Sequence, residues 1–448
     1  MSKYNFPNRV PFSKFLIQSA AIAKNPIPYH KKWFDLYNDS FSIKPWFQNT
    51  VMLTRDAEHS KHILQKHHKL YQKSKIQTKF LSKYVGYGLL TSNGDYWLQQ
   101  RRLIQPGFHK EKIKNLVDII NASIVEQVSK IETGKTIPLY PLMNELAFKV
   151  VAKSLFNFSA EGQTLNRLQF IIEELQKFIV KEIRQPHKKL WLYLNGSIKY
   201  HMALVMESRT IIESIINQRR QTEAEHDDLL QMLLEAQYED GSSMTNTQLI
   251  DEILILFVAG HETTANALTF TLTLLAQNPK ILKKVEAEIN AVRTKNLGPL
   301  ESIPQLSYVK NCIDESLRLY PPAWITDREA LADDRLGDYF IKKGTMIGIS
   351  IFELHRNKSF WNQPEAFIPE RFSENPNLHK SEFYIPFGAG PRLCIGNNFA
   401  IYEMVLTIFE IIKRFDISTT TSEINYNPLI TLKPVGSEMK FSSKAKKN

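Results

Sequence analysis

The chain has 448 residues, a formal net charge of +11 and two cysteines, with 43% hydrophobic and 23% charged residues. This is the composition of a globular protein large enough for one extended core or two, and two cysteines exclude a disulfide-stapled fold. The basic residues are spread over the whole length without a recognised nucleic-acid module, so no nucleic-acid partner is expected, and a basic docking face for an acidic protein is the sharper expectation.

The N-terminal piece around Phe15–Ala23 is short and interrupted by Gln18 and Ser19, and no stretch approaches 18 uninterrupted apolar residues. No transmembrane anchor is therefore expected, and the reduced cysteines suit a cytoplasmic setting. Helical periodicity then dominates. It predicts helices over Asp56–His67, Asp95–Ile104, Glu111–Ile131, Tyr140–Phe156, Leu165–Ile183, Ser197–Gln221 and Asp227–Ala236. A long, apolar helix follows from Asn246 to about Gln277, stopped by Asn278-Pro279, and such a helix belongs in the middle of a fold. Strand-like residues are few and clustered, at Thr50–Thr54, Trp324–Ala330, Tyr339–Ile341, Met346–Ile351 and Ile430–Lys433. The expected fold is mainly α with a small β-rich lobe. Residues 1–44 read as an N-terminal segment, 45–441 as one large domain and 442–448 as a basic tail.

Cys394 carries the strongest local signal, in Phe387-Gly388-Ala389-Gly390-Pro391-Arg392-Leu393-Cys394-Ile395-Gly396. Two glycines allow a tight turn and close approach to a flat partner, Arg392 supplies a cation, and a helix is predicted from about Asn397. A thiol near a helix start has its pKa lowered, as a thiolate ligand requires. In the long helix, Ala259-Gly260-His261-Glu262-Thr263-Thr264 sets an acid beside an alcohol, the parts of a proton relay. Gly260 makes room against the helix, and the Thr263 hydroxyl should bond back to the Ala259 carbonyl. His261 reads as a packing or substrate-facing residue. Glu315 and Arg318, three apart, share one helix face, and Pro369-Glu370-Arg371-Phe372 lies further on. Trp97 and Arg101 share another face, with Arg102 directed to the surface.

Together these segments resemble the cytochrome P450 family. The Cys394 loop matches its Phe-x-x-Gly-x-Arg-x-Cys-x-Gly signature, Ala259–Thr264 its oxygen-activation segment, Glu315–Arg318 its Glu-x-x-Arg, and Trp97–Arg101 its Trp-x-x-x-Arg. The likeness runs from about Pro45 to Pro434. It implies the cytochrome P450 fold, with the long helix over a haem b (iron protoporphyrin IX) whose axial ligand is the Cys394 thiolate. Glu262 and Thr263 would deliver protons, and Arg371 would join Glu315 and Arg318 in a buried structural network. Trp97, Arg101, Arg328 and Arg392 would meet the propionates, with Phe387, Ala259 and Gly260 against the cofactor.

The resemblance further implies a soluble, bacterial-type monooxygenase that inserts one atom of O2 into a C–H bond of a small-molecule substrate. The segment Arg318–Ile325 looks similar to members acting on long apolar molecules, so a fatty acid, terpenoid or carotenoid-like compound is expected. Tyr84, Tyr87, Leu256, Trp324, Ile325 and Ile430 are the candidate substrate contacts. No flavin or nicotinamide fingerprint is present, so electrons should come from a ferredoxin or flavodoxin and its reductase, docking near Lys110, Lys112 and Lys114. Alternatives are oxidative O-demethylation of a small methylated substrate, a peroxide-driven peroxygenase, and a non-catalytic haem sensor, for which the Glu262-Thr263 pair would be superfluous.

Overall fold

A computed structural model describes residues 5–44, 50–157, 163–221 and 228–444. Residue 45, Asp227 and the last four residues of the basic tail, named above as boundaries, lie outside them. The chain forms two compact units, each assembled from separate stretches.

The first unit comprises residues 1–75, 314–395 and 430–433. Seven strands are used below: β1 Ser40–Ile43, β2 Val51–Thr54, β3 Tyr71–Gln72, β4 Thr326–Ala330, β5 Asp334–Leu336, β6 Tyr339–Ile341 and β7 Met346–Ile349. Five of them make a sheet in the order β1-β2-β7-β4-β3, with β2 and β7 parallel and the other pairs antiparallel. β5 and β6 form a separate hairpin. One face of this material is a core of Met52, Ile63, Leu64, Tyr71, Leu336, Ile341, Ile347 and Ile349. A second cluster joins Val10, Trp33, Phe34 and Phe41 to Val51 and Leu53. Residues before position 45 are therefore built into the first unit, through helices Phe12–Lys24 and Ile27–Tyr37, rather than standing apart from it.

The helix predicted over Asp56–His67 is divided. An α-helical piece, Ala57–Lys61, is capped by the Asp56 carboxylate on the His59 N–H at 2.8 Å. It passes into a π-helical turn, His62–Lys66, closed by His67 N–H on the His62 carbonyl at 2.8 Å. The apolar spacing is the same for both turns, so sequence periodicity alone does not separate them.

The second unit comprises residues 76–313, 396–429 and 434–448. Its main helices are α1 Gly94–Ile104, α2 Lys110–Ser129, α3 Leu139–Phe156, α4 Gln163–Arg184, α5 Ser197–Gln221, α6 Asn246–Gln277 and α7 Asn397–Arg414. α6 starts with a capping box, Gln248 N–H on Thr245 Oγ1 (3.3 Å) and Thr245 N–H on Gln248 Oε1 (2.8 Å). It ends where Pro279 follows Asn278. α6 packs along α3 and also touches α5 and α7. Among the described residues it is the one helix long and apolar enough to cross a membrane, but 78% of its apolar window is buried, so it is a core helix. Thr269, Thr271 and Thr273 satisfy their buried hydroxyls on carbonyls four residues back, at 2.7–2.8 Å.

Candidate active site

α6 is buried from Leu249 to Leu275 except at Val258, Ala259, Gly260 and Thr263. The covering is thus incomplete at four positions in the middle of an otherwise buried helix, and of these Ala259 and Thr263, one turn apart, share a face. Thr263 Oγ1 donates to the Ala259 carbonyl at 2.7 Å, and Thr264 Oγ1 to that of Gly260 at 3.0 Å. The first is the back-bond expected from the sequence. Gly260 also has a reason in packing. A Cβ there would lie 3.1 Å from Val151 Cγ2, so the missing side chain serves the close approach of α3. His261 is a packing residue: it is fully buried, its Nδ1 pairs with the Phe257 carbonyl at 2.7 Å, and its ring stands edge-on to Phe148.

Glu262 is buried beside the opening. Its charge reaches Tyr140 on α3, whose phenol is pushed well up by burial and by the negative charges of Glu262 and Glu173. Tyr140 donates to Asn144 Oδ1 at 3.1 Å, and Asn144 Nδ2 donates to Glu173 at 2.6 Å. This polar series was not singled out from sequence, because Tyr140 and Asn144 look like ordinary helix residues until α3 is laid against α6. Their i,i+4 spacing was the only signal.

A small cavity in the same unit is lined by Tyr84, Val85, Ile172, Leu175, Gln176, Ser208, Leu254 and Val258. Val258, one of the partly covered residues of α6, therefore also lines this cavity. Of the proposed substrate contacts, Tyr84 lines the cavity, with its hydroxyl tied to Glu182 and Lys83. The expectation for Leu256 is corrected: it is buried in the core, two residues out of phase with Leu254 and Val258, which face the cavity. Tyr87 is also corrected, because it is exposed and stacked on Tyr96 at 5.2 Å. Trp324 is buried against His30, and Ile325 packs on the cluster containing Phe34 and Phe41. Ile430 is half-buried.

In the first unit, the Cys394 loop is positioned by its glycines. Gly388 (φ 75°) and Gly390 (φ 70°) are left-handed, and a Cβ on Gly390 would collide with the Leu64 carbonyl. A short 3-10 turn, Gly390–Arg392, follows, and Cys394 N–H returns to the Phe387 carbonyl at 2.9 Å. Neither Cys394 nor Cys312 is in a disulfide, and Cys394 is exposed. From Phe387 to Asn398 no residue is buried, although Phe387, Leu393 and Ile395 are apolar.

Behind this loop, Glu315 and Arg318 are wholly inaccessible and pair bidentately, Nε–Oε2 and Nη2–Oε1 both at 2.8 Å. Arg371 Nε reaches Glu315 Oε1 at 3.3 Å and the Ile368 N–H donates to the same oxygen at 3.0 Å. Arg318 also donates to the carbonyls of His355, Pro364 and Ala366. His355, which the sequence did not flag, completes the arrangement. Its pKa is pushed down to about 3 by burial and then by the charge of Arg318, so the ring is neutral. Its Nδ1 therefore donates to the Arg318 carbonyl (3.2 Å), while Nε2 accepts the Ile385 N–H (2.9 Å), two residues before Phe387. The ion-pair cluster is thereby tied by hydrogen bonds to the start of the Cys394 loop.

The remaining cations are spread over both units. In the second, Trp97 and Arg101 lie one turn apart on α1, both partly covered, with Arg101 Nε on Gln105 at 3.2 Å. Arg102 is exposed and pairs with Glu239. In the first unit Arg392 is half-buried, and Arg328 is buried with hydrogen bonds to Thr326 Oγ1 and the Asp327 carbonyl. Burial pushes Arg328 below its ordinary pKa, and the charge of Asp327 offsets this only in part. A buried guanidinium in that state calls for an anionic partner. On α2, Lys110 and Lys112 are exposed, while Lys114 pairs with Glu111 at 2.8 Å.

The exposed cysteine on its glycine-shaped loop, the buried triad behind it, and, in the second unit, the threonine–glutamate step on α6 are the features that carry the resemblance to haem-thiolate oxidases. The model of the family described as Cytochrome P450 matches residues 5–441, and the chain belongs to this family. It is similar to LUTEIN DEFICIENT 5, chloroplastic, of Arabidopsis thaliana, at 28% identity over 93% of this chain and 73% of that protein. It is also similar to a cyclooctat-9-en-7-ol 5-monooxygenase of Streptomyces melanosporofaciens, at 33% identity over 74% of this chain and 72% of the relative. A cytokinin hydroxylase of Arabidopsis thaliana is 31% identical over 91% of the chain and 82% of its own length. The fold is that of cytochrome P450, the chain is an oxidoreductase of the monooxygenase class, and family members bind haem through a cysteine thiolate. The residues present fit such a group. In the first unit, the loop around Cys394 presents uncovered apolar side chains beside the thiol, and Arg328 offers a buried cation to an acid group. In the second, Ala259 and Thr263 are incompletely covered on α6.

Proposed function

We propose that the enzyme hydroxylates an apolar isoprenoid, a terpenoid or carotenoid-like molecule, at a C–H bond, with electrons from a separate protein carrier. Haem, when bound, supplies the chemistry of oxygen activation. Cys394 would hold it through its thiolate. Arg328, Arg392, Arg101 and Trp97 would meet its acid groups, and Phe387, Ala259 and Gly260 would contribute to its pocket. Thr263 holds a hydroxyl at the opening of α6, its proton engaged on the Ala259 carbonyl and its lone pairs turned outward, so that it accepts one proton and passes another on. Glu262, buried next to it, is the acid that resupplies that proton.

One observation carries the substrate class. The cavity beside α6 at Leu254 and Val258 is walled by these and by Val85, Ile172, Leu175 and the ring of Tyr84, with Gln176 and Ser208 as its polar side chains. The void itself has room for no more than about one water, so an isoprenoid would enter as these side chains part, and they would meet it with largely apolar surface. Relatives named for carotene and for cyclooctat-9-en-7-ol support the same class. The exposed Lys110 and Lys112 suit an acidic ferredoxin or flavodoxin.

The test is a titration of the ferric, haem-loaded enzyme with a cyclic terpenoid alcohol, a carotenoid fragment, a fatty acid and a cytokinin. The low-spin to high-spin absorbance change should saturate at lowest concentration with the isoprenoids. A preference for the fatty acid or the cytokinin would overturn the assignment.

A further inference from the structure

The first unit holds a second set of metal-binding side chains that the haem chemistry does not use. His62, His67 and Asp334 bring one ligand atom each to within 4.8 Å of one another. The two imidazoles are stacked, centroids 4.0 Å apart and planes 5° from parallel. This follows from the π-helical turn. In an α-helix residues five apart point about 140° away from each other, whereas the wider turn closed by His67 N–H on the His62 carbonyl sets them one over the other. His62 Nε2 lies 2.7 Å from Asp334 Oδ2.

The carboxylate is fixed from behind. The Tyr71 hydroxyl donates to Asp334 Oδ2 at 2.6 Å and the Arg335 N–H to Oδ1 at 2.8 Å. Tyr71, Ile63, Leu64, Leu336 and Ile341 are buried in one core cluster, so both sides of the group are anchored. Asp334 opens the β5–β6 hairpin, paired across from Ile341. His67 is exposed, which leaves the group open to solvent on one side. His59, nearby, is engaged through Nδ1 with Ser40 and Thr54 and adds no ligand.

We propose that His62, His67 and Asp334 form a binding site for a borderline divalent cation of the Zn2+ class. Two imidazole nitrogens and one carboxylate oxygen are the donor set for such an ion, with the fourth tetrahedral position left to water on the open side. Tyr71 is a positioning residue: its hydroxyl donates to Asp334 and orients the carboxylate that would hold the ion. Binding displaces the His62–Asp334 hydrogen bond, turns one imidazole out of the stack so that both nitrogen lone pairs converge on the ion, and cross-links the turn 62–67 to the hairpin. The carbonyl of Leu64, inside that turn, is the atom that forbids a side chain at Gly390 of the Cys394 loop. The cation would therefore brace the segment against which the loop is folded.

The test uses the full-length, haem-loaded enzyme, stripped of loosely held metal with a chelator and titrated calorimetrically with ZnCl2. Wild type should bind one equivalent and its Tm should rise with Zn2+. His67→Ala, at an exposed position, should leave the metal-free Tm unchanged and weaken binding at least tenfold. Tyr71→Phe should weaken it by about tenfold, and His68→Ala, next door but outside the group, should bind as wild type. Absence of one-equivalent binding to wild type, or wild-type affinity in His67→Ala, would overturn the site.

Discussion

Glu315 and Glu262 are both buried glutamates of the same enzyme, and their surroundings differ in one respect. Every charge around Glu315 is matched: two N–H groups of Arg318, one of Arg371 and the Ile368 amide converge on its two oxygens. Around Glu262 the helix is interrupted by uncovered residues, with the Thr263 hydroxyl next in the chain. A saturated carboxylate has nothing left to exchange and acts as a fixed anchor. A carboxylate beside an opening can pass a proton. Burial alone therefore does not tell structure from chemistry; whether the helix beside the carboxylate is covered does.

The sharpest way to break this contrast is Glu315→Ala. It leaves Arg318, wholly inaccessible, without its counter-charge, and the cost should be about 3–5 kcal/mol. The variant should lose its folded population or its bound haem, read as a fall in Tm and in the haem-to-protein absorbance ratio. Retention of wild-type Tm would show that the cluster is not the anchor its geometry indicates. At the other glutamate's neighbour the expected effect is on chemistry and not on folding. Thr263→Ala removes the uncovered hydroxyl, so product formation should drop by about 10²-fold while electrons continue to be consumed and Tm stays near wild type. Full coupling of electrons to product would end the assignment of Thr263 as proton carrier.

The two regions also differed in how far they could be read in advance. Cys394, Glu315, Arg318 and Thr263 stood out because their chemistry is local: a turn, an i,i+3 pair and an i−4 back-bond are all fixed by short spacings. The bounds of α6 came out unchanged, since a capping threonine and a following proline mark both ends. What escaped was set by partners far away in sequence. His355 meets Arg318 and Ile385 only when three stretches fold together, and Tyr140 meets Glu262 only across two helices. Leu256 was placed on the wrong face because an apolar helix buried nearly all round shows no periodicity from which to read its phase. Tyr87 was misplaced because an aromatic in a loop reads the same whether it lines a cavity or stacks on a surface neighbour.

His355 offers a finer measure of the saturated region. Its folded pKa of about 3 lies below the ordinary value of 6.5, so between these values the unfolded chain takes a proton that the folded chain refuses. Stability from this residue is complete above pH 6.5 and is lost as pH falls toward 3, at about 1.4 kcal/mol per pH unit. From pH 6.5 to 5 the loss should be about 2 kcal/mol, and His355→Gln should show a correspondingly flatter dependence of denaturant midpoint on pH over that range. Parallel curves would mean that the ring is not held neutral.

The smallest expected effect tests the opening itself, by asking what Gly260 is for. Exchanging glycine for alanine inside a helix gains about 1 kcal/mol in propensity. The added methyl would, however, lie 3.1 Å from Val151 on α3, and overpacking of that kind costs about 1–3 kcal/mol. Gly260→Ala should therefore be neutral to about 2 kcal/mol destabilising. Adding Val151→Ala should relieve the crowding, so that the double variant is more stable than the two single changes sum to. If the glycine instead kept space on the open face, the helix would stay as stable as wild type, Val151→Ala would give no rescue, and the loss would fall on substrate binding. The same pair of variants, followed by Tm and by the spin-state titration, separates helix packing from cofactor-side room at a single residue.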